Sequence, residues 1–102
     1  MATPLSITTD RRDGAFLVRA AGEIDLSNLD SFTDALRDGS AALSDGAGTL
    51  TVDLTSVDYL DSGAINALFG HASGMRLIAN PILLPVLTIS GLTSVATIEL
   101  GS

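Results

Sequence analysis

A carboxylate and a hydroxyl stand side by side at Asp61-Ser62, directly before a segment whose apolar residues have helical spacing. Either side chain can accept hydrogen bonds from the free backbone N–H groups of a helix start, a capping contact worth ~1 kcal/mol. The same position suits a phosphate, because these N–H groups and the helix dipole favour negative charge. Phosphorylation would add about −1.5 to −2 charge units beside Asp61. The residues alone leave both interpretations open, a helix cap or a modification site.

A second acidic position, Asp25, follows the predicted second strand. It lies near Ser62 if the loops after the second and third strands share one edge of the sheet. A phosphate on Ser62 would then disrupt a protein interface there through like-charge repulsion and desolvation.

The other reactive side chains do not form the pattern of an enzyme. A Ser-His-Asp triad would have to use His71, the single histidine, whose place beside an apolar helical stripe favours a partly exposed surface side chain. Asp53 ends a strand like the phospho-accepting aspartate of a receiver domain, but such domains also have a late lysine and this chain has no lysine. The chain has no phosphate-binding glycine motif and no cysteine. We therefore expect no enzymatic activity, no catalytic residue, no metal and no cofactor.

Length and charge restrict the class of protein further. The 102 residues suffice for one domain, predicted to span residues 1–102. A net charge of −7 repels phosphate backbones and acidic membrane surfaces, so neither nucleic acid nor membrane is an expected partner, whereas a basic or mixed-charge protein is. The first residues lack the pattern of a signal peptide, which favours a cytoplasmic location.

Alternation and turn signals predict strands and helices in the order β-β-α-β-α-β-α-β. A first strand with Leu5, Ile7 and Thr9 leads to a hairpin turn at Asp13-Gly14. The second strand covers residues 16–21, with Phe16, Val18 and Ala20 on one face, and Gly22-Glu23-Ile24-Asp25 closes it. A helix follows, with Ser27 and Asp30 in the spacing of a capping box and Leu29, Phe32, Leu36 and Leu43 as its stripe, and residues 45–48 end it.

The second half alternates strands and helices, which implies crossovers and a mostly parallel mixed sheet of about five strands in an α/β fold. The predicted elements are a strand at residues 49–54, a loop at 55–60, a helix after Asp61-Ser62, a strand at 76–79, a helix from Asn80-Pro81 to Ser90-Gly91 and a strand at 95–100. The buried stripe of the second helix is predicted to consist of Ile65, Leu68, Phe69, Ala72 and Met75.

The third helix is expected to be short or distorted, because Pro85 offers no N–H and its ring presses on the carbonyl of Pro81. This segment is also unusually apolar, with Ile82, Leu83, Leu84, Val86, Leu87 and Ile89. The excess predicts a hydrophobic patch that serves a homodimer or another partner. A distorted and better buried segment around Pro85 explains the composition equally well.

Three motifs in the chain resemble those of STAS-domain anti-sigma-factor antagonists, which are bacterial proteins. Residues 50–62, LTVDLTSVDYLDS, resemble the strand and hydrophobic-Asp-Ser element of that family. Gly22-Glu23-Ile24-Asp25 is similar to its Gly-Glu-Leu/Ile-Asp motif, and Ser90-Gly91-Leu92 is similar to its late Ser-Gly-Leu helix end. The resemblance covers nearly the whole chain and implies a single STAS-like domain.

The resemblance implies partner switching in transcription regulation. In that family the unphosphorylated antagonist binds an anti-sigma factor that is itself a serine kinase, and a sigma factor is released. Phosphorylation of the serine ends the binding, and a phosphatase resets the cycle. Here Ser62 matches the phosphorylated serine, Asp61 would order the loop and helix start, and Asp25, Leu26 and Ser27 would join Asp61, Ser62 and Gly63 in the partner-binding surface.

The chain departs from the family pattern next to Ser62. The family usually has Asp-Ser-Ser/Thr-Gly, whereas this chain has Asp61-Ser62-Gly63-Ala64 and lacks the second hydroxyl. The departure favours the alternative function, a constitutive STAS adaptor in a stressosome-like or transport-associated complex without serine phosphorylation.

Overall fold

The structure, a computed structural model, describes residues 5–12, 14–43, 48–72 and 74–101. Its five strands form one mixed sheet in the order β1-β2-β3-β4-β5, in which β1 is antiparallel to β2 and the other neighbours are parallel. The elements are β1 (Ser6–Arg12), β2 (Ala15–Ile24), α1 (Leu29–Ala42), β3 (Thr49–Leu60), α2 (Ser62–Gly70), β4 (Met75–Ala79), α3 (Leu84–Ser90), a 3₁₀ turn (Leu92–Ser94) and β5 (Thr97–Leu100). The predicted α/β class and order of elements are confirmed.

One face of the sheet carries the core. Phe16, Val18 and Ala20 are buried on the same face of β2, as predicted. Alternate residues of the next two strands and the inner faces of the helices complete the core: Leu50, Val52, Leu54, Met75, Leu77, Ala79, Phe32, Leu36, Ile65, Leu68 and Leu87. The opposite face of β2 to β4 is only partly covered. No helix in the described part of the chain is long and apolar enough to span a bilayer.

The hairpin between β1 and β2 turns at Gly14, whose φ of 71° lies in the left-handed region that favours glycine. This confirms the predicted turn at Gly14, while Asp13 lies outside the described residues.

Strands β2 and β3 are both longer than predicted, and the loop predicted at residues 55–60 is wrong. β2 continues through Ile24, and β3 continues through Leu60, which pairs with Ile24. Two register shifts interrupt the pairing, between Arg19 and Ala21 and between Gly22 and Glu23. Such irregularities change the side to which the following residues point, so the simple alternation ends although the strand does not.

The capping box predicted for α1 is wrong. The helix begins at Leu29 after Asn28, and no side chain caps it. Ser27 instead donates both its N–H and its hydroxyl to the carboxylate of Asp25. At the other end, Leu43 follows the last helical residue, and the stop predicted at residues 45–48 lies largely outside the described residues.

Helix α2 ends at Gly70, earlier than its apolar stripe predicted. Ile65 and Leu68 are buried in the helix as expected, whereas Phe69 is 37% exposed. Ala72 and Met75 are buried, but they lie beyond the helix, and Met75 opens β4. Their spacing continued the helical pattern only because both residues return to the same core.

Helix α3 is short, as expected, but it begins at Leu84 and not at Asn80-Pro81. Pro85 therefore lies in the first helical turn, where a missing N–H costs no hydrogen bond. Gly91, with a φ of 87°, ends the helix as predicted.

Asn80, predicted as the cap of α3, joins strand β3 to the following turn. Its Nδ2 donates to the carbonyls of Thr55 at 3.0 Å and Val57 at 2.6 Å, and its Oδ1 accepts from the N–H of Ile82 at 2.8 Å. The last strand is also shorter than the predicted residues 95–100, because the N–H groups of Val95 and Ala96 donate back to the carbonyl of Leu92 and not to a neighbouring strand.

Candidate functional site

Asp61 caps helix α2. Its backbone is extended, with φ −84° and ψ 177°, and its Oδ1 accepts the N–H of Ala64 at 2.9 Å. Its own N–H donates to the carbonyl of Ile24 at 3.1 Å, which fixes the helix start to the end of β2. The predicted role of Asp61 in ordering the helix start thus has a definite geometry. Ser62, the first helical residue, is exposed.

The loop after β2 lies at the same edge of the sheet as Ser62. Ile24 pairs with Leu60 in the register of the two parallel strands, so Asp25 and Asp61 each follow one member of this pair. The structure therefore brings together the two segments that contain all the predicted partner-binding residues. These residues are Asp25, Leu26 and Ser27 in one segment, and Asp61, Ser62 and Gly63 in the other.

Hydrogen bonds hold the loop between β2 and α1 in one shape. Oδ1 of Asp25 accepts the N–H of Ser27 at 2.9 Å and its hydroxyl at 2.5 Å. Asn28 accepts the N–H of Asp25 at 3.0 Å and donates its Nδ2 to the carbonyl of Glu23 at 2.9 Å. Leu26 lies at the tip of this loop with 83% of its surface exposed. An exposed apolar side chain on a loop that hydrogen bonds already order is suited to contact with a partner, because binding then costs little additional conformational entropy.

The charge at this edge is negative. The hydroxyl of Ser27 and then its N–H lower the pKa of Asp25; desolvation opposes them, and the N–H of Asn28 adds a further lowering. Asp25 is therefore ionised at neutral pH. Any phosphate on Ser62 would share this edge of the sheet with a fixed carboxylate.

Gly63 is in close contact with the first residue of α1. A Cβ at position 63 would lie 2.7 Å from Cδ2 of Leu29 and 3.3 Å from Oδ1 of Asp61. The side chain of Leu29 thus occupies the space into which the second Ser or Thr of the family pattern would project. Leu29 and Asn28 were not predicted as positioning residues, since nothing in their own spacing indicates contacts with the Ser62 and Asp25 segments.

The two residues weighed for catalysis lie in other surroundings. His71 follows the end of α2, nine residues after Ser62 or about 13 Å along a helix axis, and its Nδ1 lies 2.7 Å from Oγ of Ser40. Asp53 accepts hydrogen bonds from Thr55 at 2.6 Å and 2.9 Å and from Arg19 at 3.4 Å. Neither residue completes a triad with Ser62.

The structure thus places an exposed serine at a helix start and a hydrogen-bonded loop with an ionised carboxylate at one edge of a small α/β domain. The family model described as "Mlab, STAS domain" matches residues 7–77, more than half of the chain. The chain therefore belongs to the STAS-domain family, which confirms the resemblance at the level of the family. No curated protein matches the sequence.

Solved structures share the fold over nearly the whole chain. An anti-sigma factor antagonist from Mycobacterium paratuberculosis superposes with a TM-score of 0.79 at 21% identity, over 94% of this chain and 86% of that chain. The anti-sigma factor antagonist SpoIIAA in its unphosphorylated form has a TM-score of 0.68 at 16% identity, over 95% and 89% of the two chains. The Bacillus cell fate determinant SpoIIAA in the phosphorylated form has a TM-score of 0.67 at 18% identity, over 95% and 92%.

Proposed function

We propose that this protein is an anti-sigma-factor antagonist that is switched by phosphorylation of Ser62. The unphosphorylated form binds an anti-sigma factor with serine kinase activity and so releases a sigma factor. Phosphorylation ends the binding, and a phosphatase restores it. In this proposal the protein is a binding module of the bacterial cytoplasm and a kinase substrate, and it is not itself an enzyme.

The observation that carries the proposal is the pairing of Ile24 with Leu60, which brings an exposed serine and an exposed leucine to one edge of the sheet. Leu26 supplies apolar contact area, and Ser62 supplies the position at which charge can be added. The helix start can accommodate a phosphate, because its N–H groups and dipole favour negative charge. The fold therefore tolerates the modification while the interface does not.

Release follows from charge without a rearrangement of the loop. The hydrogen bonds of Asp25 and Asn28 hold Leu26 in place through backbone and side-chain contacts that do not involve the Ser62 hydroxyl. A phosphate adds charge that a partner must desolvate, next to the ionised Asp25. A partner that buries this edge loses affinity even though the contact surface keeps its shape.

A mass measurement tests the modification. The protein is incubated with ATP and each candidate anti-sigma kinase, and intact masses are recorded for the wild type, Ser62→Ala and Ser94→Ala. We expect one added phosphate in the wild type and in Ser94→Ala, which removes an exposed serine elsewhere, and none in Ser62→Ala. Phosphate addition that persists in Ser62→Ala would show that the switch is placed at the wrong residue.

A binding measurement tests the contact surface. Truncation of Leu26 to Ala removes most of an apolar side chain whose full burial is worth about 1.5–3 kcal/mol, so affinity for the anti-sigma factor should fall roughly ten- to hundredfold. Val95→Ala is the control, since Val95 is 50% exposed on another part of the surface. Equal affinities of the two variants would contradict the assignment of Leu26 to the interface.

The second candidate function is a constitutive STAS adaptor, and one observation favours it. Leu29 fills the space beside Gly63, so the chain does not present the second hydroxyl of the antagonist pattern. In this alternative the same edge binds a partner in a larger complex without modification. Unchanged partner affinity of Ser62→Asp relative to Ser62→Ala, together with the absence of phosphate addition by every kinase, would support the adaptor.

A further inference from the structure

Helix α3 presents an apolar surface to solvent on the side that faces away from the core. Leu83 and Leu87 are turned inward and buried, whereas Ile82 and Ile89 are 70% and 87% exposed. We call the outward side, formed by Pro81, Ile82, Leu84, Pro85, Thr88 and Ile89, the α3 face. Exposed apolar side chains that cluster in this way mark interaction sites more often than isolated ones do.

The α3 face contains a shallow cleft of about 370 Å³, lined by Pro81, Leu84, Pro85, Thr88 and Ile89. Thr88 donates its hydroxyl to the carbonyl of Leu84 at 2.8 Å, so the polar group of this lining is already engaged within the helix. A small-molecule site normally includes a few polar groups that orient the ligand. The cleft therefore fits an apolar side chain from a protein better than a metabolite.

The distribution of charge indicates which protein that is. Residues 77–98 contain no charged side chain, in a chain whose net charge is −7. The charged residues directly before and after this stretch, Arg76 and Glu99, form an ion pair with each other. A basic partner would be drawn to the acidic parts of the surface, whereas two copies of an acidic protein repel each other and can meet most easily where neither carries charge.

The α3 face is also complementary to itself. It has both an apolar cleft and, outside the lining of that cleft, a projecting apolar side chain, Ile82, which is 70% exposed. In a twofold arrangement the same patch is used by both copies, so each projection can enter the cleft of the other copy. We propose that two copies of this chain associate through the α3 face, with Ile82 of each copy packed into the cleft of the other.

Sedimentation velocity over a range of protein concentrations tests this proposal. We expect the wild type to shift from monomer to dimer mass as concentration rises. Ile89→Asp should weaken the association at least tenfold, because it places a charge in an apolar contact. Since Ile89 is 87% exposed, the substitution should leave the fold intact, which circular dichroism verifies.

The control for charge is Leu26→Asp. Leu26 is 83% exposed outside the α3 face, and both variants change the net charge by the same amount. Association that is retained in Leu26→Asp and lost in Ile89→Asp supports the α3 face. A wild type that stays monomeric at every concentration, or equal weakening by the two variants, overturns the proposal. The readout needs neither a kinase nor an anti-sigma factor, so it is independent of the proposed function.

Discussion

The contact between Gly63 and Leu29 predicts that one substitution will have different effects in two backgrounds. In Gly63→Ala the added Cβ would lie 2.7 Å from Cδ2 of Leu29, closer than van der Waals contact allows. Overpacking costs about 1–3 kcal/mol, and we expect the lower part of this range because Leu29 is only half-buried and its side-chain end can shift. Alanine gains up to about 1 kcal/mol over glycine in a helix, and less in the first turn.

These opposing effects give the expected magnitudes. The φ of Gly63 is not positive, so alanine meets no backbone strain there. Gly63→Ala should destabilise the wild type by about 1 kcal/mol, because the steric cost exceeds the helical gain. In the Leu29→Ala background the clash is absent, and the same substitution should be neutral or stabilising by about 0.5 kcal/mol. The coupling energy is then about 1.5 kcal/mol, in the range found for residues in contact.

Urea unfolding of the four proteins measures this coupling. The unfolding of the wild type, the two single variants and the double variant is followed by circular dichroism. Their free energies of unfolding are compared provided that all four proteins show the same dependence of this free energy on urea concentration. A coupling energy below about 0.5 kcal/mol would refute the reasoning, because independent sites add within that margin. A Gly63→Ser series extends the test by restoring the hydroxyl of the antagonist pattern, which should be tolerated better once Leu29 is truncated.

Two further predictions concern groups away from Ser62. Asn80→Ala should destabilise the fold by about 1–3 kcal/mol in urea unfolding, because the carbonyls of Thr55 and Val57 lose their side-chain donor; a smaller loss would mean that water replaces it. Partial burial opposes ionisation of Asp53, but hydrogen bonds from Thr55 and then Arg19 outweigh it and lower the pKa of Asp53 below 3.8. A depressed pKa stabilises the fold above about pH 4 and loses that contribution as pH falls through the folded-state value. Acid unfolding of Asp53→Asn should therefore depend less on pH than that of the wild type, and parallel pH profiles of the two would contradict this.

The sequence predicts the order of strands and helices well, because the apolar residues of most of these elements recur at a regular spacing. The alternation of Phe16, Val18 and Ala20 reports one buried face of a strand, and the structure buries all three. The prediction was wrong where the alternation of buried and exposed residues was interrupted although the strand continued. Leu54 and Val57 are both buried although they are three positions apart and not two or four, so the register shifts of the sheet concealed the continuation of β3.

Local capping rules failed when a polar residue had a better partner elsewhere. Ser27 and Asn80 both precede helices in the sequence and both fit the statistics of a cap. In the fold, Ser27 donates to Asp25 and Asn80 donates to carbonyls of β3, contacts that depend on loop shape and on strand pairing. The helices consequently begin one or more residues later than the cap rule predicts.

The residues that position the site were less predictable than the residues that form it. Asp61 and Ser62 can be recognised in the sequence by their residue types and by their position at the start of a predicted helix. Leu29 contacts the position of Gly63, 34 residues further along the chain, and this contact exists only in the folded protein. Such a contact also explains the departure from the family pattern. With Leu29 against the helix start, glycine at position 63 leaves room for the leucine side chain, whereas a Cβ there would require that side chain to shift. The comparison of the Gly63 and Leu29 variants and the phosphorylation assay therefore address separate questions, namely what the contact between these two residues contributes to stability and whether Ser62 is a phosphorylation site.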